Sequence, residues 1–215
     1  MNSNYIYVKR ILDFIFSTIL LILLIPLFII VSILIKVDSK GPVFFKQERT
    51  GLNGEIFVLI KFRSMAEDND IFDFDRGDRV TKVGRFLRAY SIDELPQLIN
   101  IIKGEMSFIG PRPWVTECYN YFTPYQKKRN LVLPGVTGLA QTSGRKDLNI
   151  LKRIDYDVEY VNNISLMIDI KIFIKTIFVI LNRTDNTRNN YTFEEEINDL
   201  KQNFLAVTES GIYEN

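Results

Sequence analysis

The adjacent carboxylates Asp93 and Glu94, within Ser91-Ile-Asp-Glu-Leu-Pro-Gln-Leu98, are the side chains best placed by type and spacing to do chemistry. The 215 residues include no histidine and one cysteine, Cys118. Imidazole acid–base catalysis, Ser-His triads and Cys-rich metal sites are thereby excluded, and chemistry falls to carboxylates. Residues 79–153 carry thirteen Lys/Arg against five Asp/Glu, although the formal net charge of the whole chain is only +1. A local basic field of this kind favours phosphates or anionic headgroups. Nucleic acid is set aside as a partner, because no helix-turn-helix, zinc-finger or RNA-binding signature accompanies the charge. Two acids at a helix mouth, an apolar segment upstream and a Gly/Pro/Arg-rich stretch downstream together suggest reaction on an anionic, lipid-linked substrate.

The elements that position the pair read as follows. Ser91 and Glu94 have capping-box spacing, which puts Asp93 in the first helical turn; Pro96 is accommodated better if Asp93 is itself the cap. Either register places Asp93 at a helix mouth, where free N–H groups hold it ionised. Such acids also simply complement a helix dipole. Leu95, Leu98, Ile99, Ile101 and Ile102 form the apolar face of that helix, and Gly104 ends it. In Gly110-Pro-Arg-Pro113 two prolines pin the backbone around Arg112, preorganising it for an anion or a structural acid. Glycines at 135, 138 and 144 precede Arg145 and allow close backbone approach to a ligand, although the spacing is neither Walker nor dinucleotide. Segments 43–48 and 56–62 predict a hairpin that ends near Lys61 and Arg63. Residues 67–78 hold six acids but fail the calcium-loop test, since the closing position counted from Asp73 is Gly84. Helices are predicted over 116–132 and 150–161, the latter with Asp155, Asp157 and Glu159.

Residues 14–35 are uncharged and would run about 33 Å as a straight helix, against a bilayer core of about 30 Å. Pro26 should kink this helix. Lys9 and Arg10 flank it on one side and Lys36 and Lys40 on the other, so charge asymmetry gives no orientation. A kinked single span and a re-entrant loop broken at Pro26 both fit. Residues 164–181 are apolar but interrupted by Asp169, Lys171 and Lys175, which favours an amphipathic interfacial helix, or one packed under the site, over a second span. Residues 184–215 are polar, with one short helix from 193 to 204.

Taken in order, Lys9-Arg10 before a Pro-broken apolar segment, Lys61-Phe-Arg-Ser-Met65, Asp93-Glu-Leu-Pro-Gln-Leu98, Lys103-Gly-Glu-Met-Ser-Phe-Ile-Gly-Pro-Arg-Pro113 and Pro134-Gly-Val-Thr-Gly-Leu-Ala-Gln-Thr-Ser-Gly-Arg145 resemble the bacterial sugar transferases, or monotopic phosphoglycosyl transferases. The resemblance runs from about residue 9 to 183. It implies a membrane-associated α+β fold with a re-entrant helix (1–40), a catalytic domain with a small hairpin and interfacial helices (41–183), and a polar tail (184–215), without the extra spans of larger relatives. It implies transfer of a sugar-1-phosphate from a UDP-sugar to undecaprenyl phosphate, releasing UMP, on the cytoplasmic face of the bacterial inner membrane. Asp93 would be the nucleophile of a ping-pong mechanism, and Glu94 would help hold Mg²⁺ or manage protons. Asp93, Glu94 and Asp157 are the candidate metal ligands; Lys61, Arg88, Arg112 and Arg145 are the candidate substrate contacts; Lys9, Arg10 and Pro26 belong to the membrane element. Membrane lipid is an expected partner, and a homodimer is left open. The alternatives are a membrane glycosyltransferase releasing UDP and a non-catalytic anchor for glycan assembly. One departure is Ile25, where many relatives have a small polar residue before the membrane proline.

Overall fold

The computed structural model describes residues 3–66, 80–144, 148–181 and 192–210. The acidic stretch 67–78 and Arg145 lie outside the described residues. The architecture is α+β and mostly helical. Helix α1 (Ser3–Leu23) breaks at Leu24 and continues as α2 (Ile25–Asp38), with the two axes bent by 62°. Pro26 sits in the first turn of α2, where its missing N–H costs nothing within the new helix but leaves no donor for the last turn of α1. The break at this proline is the expected one. Backbone bonds from Leu24 N to Leu20 O (3.0 Å) and from Phe28 N to Leu24 O (2.9 Å) carry the chain across it. Among the described residues no single helix is long and apolar enough to cross a membrane, whereas the bent pair passes that test together.

The hairpin forms as expected. Strands β1 (Phe44–Thr50) and β2 (Ile56–Phe62) pair antiparallel, from Phe44 opposite Phe62 to Thr50 opposite Ile56. Alternation along β2 turns Phe57 and Leu59 inward onto Leu98 and Ile101 of α4 (Gln97–Lys103), after α3 (Lys82–Ala89). Leu21 and Leu24 pack on the same cluster, and Val31 and Ile35 of α2 pack with Phe62 and Leu87. One side of the broken helix is thus fixed to the body, while large apolar residues such as Phe16, Ile19, Ile22, Ile29 and Ile33 stay exposed.

A second sheet is absent from the sequence reading. Strands β3 (Ser107–Ile109) and β4 (Gly135–Thr137) pair in parallel, Ser107 beside Gly135 and Ile109 beside Thr137. The glycines expected to cradle a ligand instead let this backbone close up. A Cβ on Gly135 would strike the Gly110 nitrogen, and one on Gly138 the Gly110 carbonyl. The single helix expected over 116–132 is two short ones, α5 (Thr116–Tyr119) and α6 (Pro124–Lys127). Pro124 cannot continue the first, and Thr123 with Gln126 forms a capping box that starts the second.

Helices α7 (Leu139–Ser143), α8 (Ile150–Asn163) and α9 (Leu166–Leu181) complete the body. Lys9 and Arg10, expected to flank the membrane element, also tie α1 to the body, Lys9 in a largely buried pair and Arg10 at the surface. Lys9 Nζ lies 2.7 Å from Asp169 Oδ2, which also accepts from Tyr5 (2.6 Å), while Tyr160 donates to the other oxygen (2.7 Å). Arg10 donates to the Gly104 carbonyl at 2.8 Å. Helix α10 (Phe193–Ser210) outruns the short helix expected in a polar tail. It buries Phe193 and Leu200 against Ile150, Ile154 and Val158 and pairs Glu196 with Arg153, so it is part of the core.

Gly135→Ala should destabilise the protein by about 3 kcal/mol, because β3 and the Gly110 loop must move to admit a methyl group. Thermal unfolding of the detergent-solubilised protein checks this; an unchanged melting temperature would show that the two backbones are not in close contact.

Candidate active site

Asp93 and Glu94 lie on one turn of 3-10 helix, Ile92–Glu94, entered through Ser91 in the left-handed conformation (φ 55°, ψ 23°). Neither capping register expected from the sequence forms. Ser91 makes no side-chain cap, and α4 begins only at Gln97, directly after a proline with no N–H to offer. The acids are instead held from the side. Lys61, near the end of β2, donates to Glu94 Oε1 at 2.7 Å, and Arg112 donates to the same oxygen at 3.1 Å. Three chain segments far apart in sequence meet at this one carboxylate: the hairpin, the acid turn and the Gly-Pro-Arg-Pro loop.

This arrangement divides the two acids. Burial alone would raise the Glu94 pKa, but Lys61 and Arg112 outweigh it and hold the group down at about 2. Asp93 moves the other way. Burial first, then the neighbouring Glu94 charge, raise its pKa, opposed by Lys61, Arg88 and Arg112. The expectation that a helix mouth would keep Asp93 strongly acidic is therefore corrected: burial and the adjacent Glu94 carboxylate raise its pKa above the ordinary value. Burial also lowers Lys61, the more so with Arg112 nearby, and Glu94 opposes the shift. Glu94 is thus the fixed anion of the pair and Asp93 the destabilised, more basic carboxylate.

Behind Arg112 lies a buried support. Arg129, 1 % exposed, donates through Nη2 to the Arg112 carbonyl (2.6 Å) and through Nε and Nη2 to Asp157 Oδ2 (3.1 and 2.7 Å). Its guanidinium also lies over the rings of Trp114 (5.9 Å) and Phe122 (5.6 Å). Asp157 is equally buried and pairs with Arg129 through Oδ2. Among the described residues no three His, Cys, Asp or Glu side chains group to hold a metal ion. Removing one partner of such a pair strands a buried charge, at a cost of about 3–5 kcal/mol.

Residues 4–183 match the bacterial sugar transferase family. The chain belongs to that family. It is 42 % identical over 190 residues to a UDP-glucose:undecaprenyl-phosphate glucose-1-phosphate transferase of Caulobacter vibrioides, covering 83 % of this chain and 71 % of that protein. It is 40 % identical to a Klebsiella pneumoniae protein of the same name, again over 83 % of this chain but only 41 % of the longer relative. With the uncharacterized sugar transferase EpsL of Bacillus subtilis it shares 43 % identity over 161 residues, which is 72 % of this chain and 77 % of EpsL.

In this bacterial sugar transferase the residues expected at the site separate into groups. Lys61, Glu94 and Arg112 touch one another, with Asp93 on the same turn as Glu94. Arg88, in the last turn of α3, acts on Asp93 through its charge. Asp157 connects by hydrogen bonds through Arg129 to the Arg112 backbone, and its charge also acts on Arg112. Two residues escaped the sequence reading. Arg129 lies in the stretch 116–132 read as one helix, with no role assigned to it. Arg49 falls just beyond the predicted strand 43–48, yet it lines a small recess with Lys61, Gln97 and Arg112 and donates to the Pro113 carbonyl at 3.2 Å. Burial, reinforced by Arg112, lowers its pKa to about 10. Only the fold gives either residue its neighbours.

Asp93→Asn should melt at a higher temperature than wild type, since a raised folded-state pKa means the ionised carboxylate opposes folding at neutral pH. Glu94 has the opposite sign. Its stabilisation is fully present above pH about 4.5 and is lost as pH falls toward 2. Melting curves against pH check both: a lower melting temperature for Asp93→Asn, or a Glu94→Gln variant with an unaltered acid limb, would contradict this charge assignment.

Proposed function

We propose that the chain transfers a sugar-1-phosphate from a UDP-sugar to undecaprenyl phosphate, releasing UMP and forming an undecaprenyl-diphosphate sugar. The observation that carries this reading is Asp93, a destabilised carboxylate among the cations Lys61, Arg88 and Arg112, on a body attached to a bent apolar helix pair. The names of the Caulobacter and Klebsiella relatives support it. Asp93 attacks the β-phosphorus: an Asp93 Oδ–P bond forms, the bond from that phosphorus to the bridging oxygen breaks, and UMP leaves with the electron pair. A phosphate oxygen of the lipid then attacks the same phosphorus and displaces the Asp93 carboxylate. Splitting the transfer into two steps lets each donor and acceptor use one site. Lys61, Arg88 and Arg112 offset the charge that accumulates when a carboxylate approaches a diphosphate. Glu94 keeps Lys61 and Arg112 in place between turnovers.

Mg²⁺ fits this donor set in one form. Magnesium is commonly held by one or two carboxylates together with substrate phosphates and water, and Asp93 with Glu94 supplies that number without Asp157. Bound there, it would neutralise diphosphate charge. Undecaprenyl phosphate is confined to the bilayer, so the reading includes a re-entrant α1–α2 pair that keeps the body on the cytoplasmic face. The break at Pro26 and the attachment of both helices to the same body support it.

Incubation of the purified protein with UDP-glucose, undecaprenyl phosphate and Mg²⁺ should release UMP, and labelled donor without acceptor should leave label on the protein. Asp93→Asn should lower turnover on the order of 10⁴-fold or more while remaining folded. Release of UDP, or an active Asp93→Asn protein, would reject the mechanism. For topology, single cysteines at Asn4 and Lys40 in a Cys118→Ser background should both resist an impermeant reagent added to intact cells. Labelling of only one of them from outside would establish a crossing helix.

A further inference from the structure

A cavity of about 560 Å³ opens between α8 and α9, roofed by Leu139 of α7. Its volume lies within the range of small-molecule sites. None of its lining residues belongs to the Asp93–Glu94 site or to the cations around it. The interior is apolar, with Ile168, Ile172 and Leu139 among its walls, while the mouth is polar. Lys171 and Lys175 stand one turn apart along one edge of that mouth, and Glu159 of α8 is also at the lining. Both lysines are exposed, and neither forms an ion pair or hydrogen bond with a described residue among the bonds the structure gives. Their charges therefore have no role in holding α9. That helix is fixed by other groups: Asp169 binds Lys9, Tyr5 and Tyr160, and Thr176 bonds Thr137 of β4 at 2.8 Å.

The same helix exposes Met167, Ile170, Phe173, Ile177 and Phe178. An anchored helix with a wide apolar stripe outside and lysines at its margin has the composition of one lying in a membrane interface. Lysines at that depth meet headgroup phosphates, and an adjacent apolar cavity can take a hydrocarbon chain that would otherwise remain in the bilayer. Two lysines against one glutamate leave the mouth net positive, which favours an anionic headgroup. Glu159 accepts hydrogen bonds from hydroxyl groups, which a glycerol headgroup offers and a choline headgroup does not.

We propose that the α8–α9 cavity is a binding site for an anionic glycerophospholipid, its phosphate held by Lys171 and Lys175 and part of an acyl chain inside the cavity. This site is independent of the transfer reaction, and its test does not require turnover. The full chain is placed in nanodiscs of phosphatidylcholine containing a minor share of phosphatidylglycerol, and the lipids retained after release into detergent are identified by native mass spectrometry. Wild type should retain phosphatidylglycerol in preference to phosphatidylcholine, and Lys171→Gln/Lys175→Gln should weaken that preference about 30-fold. Ile174→Trp, at a half-exposed position in the cavity lining, should reduce retention of either lipid without disturbing the core. Circular dichroism and melting curves establish that each variant is folded. Equal retention of both lipids by wild type, or an unchanged preference in the double lysine variant, would overturn the assignment. So would a lipid-free dimer, which would make a second copy of the chain the occupant of this face.

Discussion

The active-site region depends on the pairing of one buried carboxylate with two cations drawn from elsewhere in the chain. Glu94 receives Lys61 from the end of a hairpin and Arg112 from a loop that leaves a parallel strand. Charge-assisted bonds of this kind are strong because each partner is partly removed from water. They also hold two like-charged cations side by side, which would otherwise drift apart. Asp93 inherits the consequences: it sits beside a carboxylate that stays ionised, and its own charge is the one left less stabilised. In the proposed mechanism, a carboxylate that is more basic than its neighbour and surrounded by cations is better suited to attack phosphorus than one quenched at a helix N-terminus.

Support for this arrangement extends inward. Arg112 is half-exposed at its guanidinium, yet its backbone is tethered by Arg129, which is itself locked to Asp157 and packed against Trp114 and Phe122. The exposed end can move toward a ligand while the peptide stays fixed. The glycines of the 110 and 135–138 segments have a related role, bringing β3 and β4 together with no side chain between them. Helix α10, with Leu200 against α8, extends the same core beyond the segment that matches the family.

A second constraint fixes how the exposed apolar helices sit on the body. The α1–α2 pair and α9 expose large apolar residues, yet each is tied to the body by polar groups rather than hanging from it. Lys9 and Asp169 join α1 to α9 directly, so the two apolar elements are parts of one rigid unit. Buried ion pairs cost desolvation energy and are poor sources of stability, but they specify geometry. Here that geometry is the relative placement of two elements with exposed apolar faces.

Local features of the chain were legible without a structure. The break at Pro26 follows from a missing donor, the hairpin from alternation around Gly51-Leu-Asn-Gly54, and the family from the ordered blocks between Lys9 and Arg145. These depend on neighbours in sequence or on residue type. What only the tertiary structure decided depends on which distant groups meet. Helix capping at Ser91 failed because Pro96 delays the helix and Lys61 and Arg112 hold the acids from the side. Asp157 and Arg129 became a buried pair because α8 packs beneath the Arg112 loop, and Lys9 became a tie between α1 and α9 because α9 carries Asp169 to it. The sequence determined which groups could carry charge and where the backbone must turn. The strength of each charge came from burial and from partners 18 to 164 residues away, which no local pattern encodes.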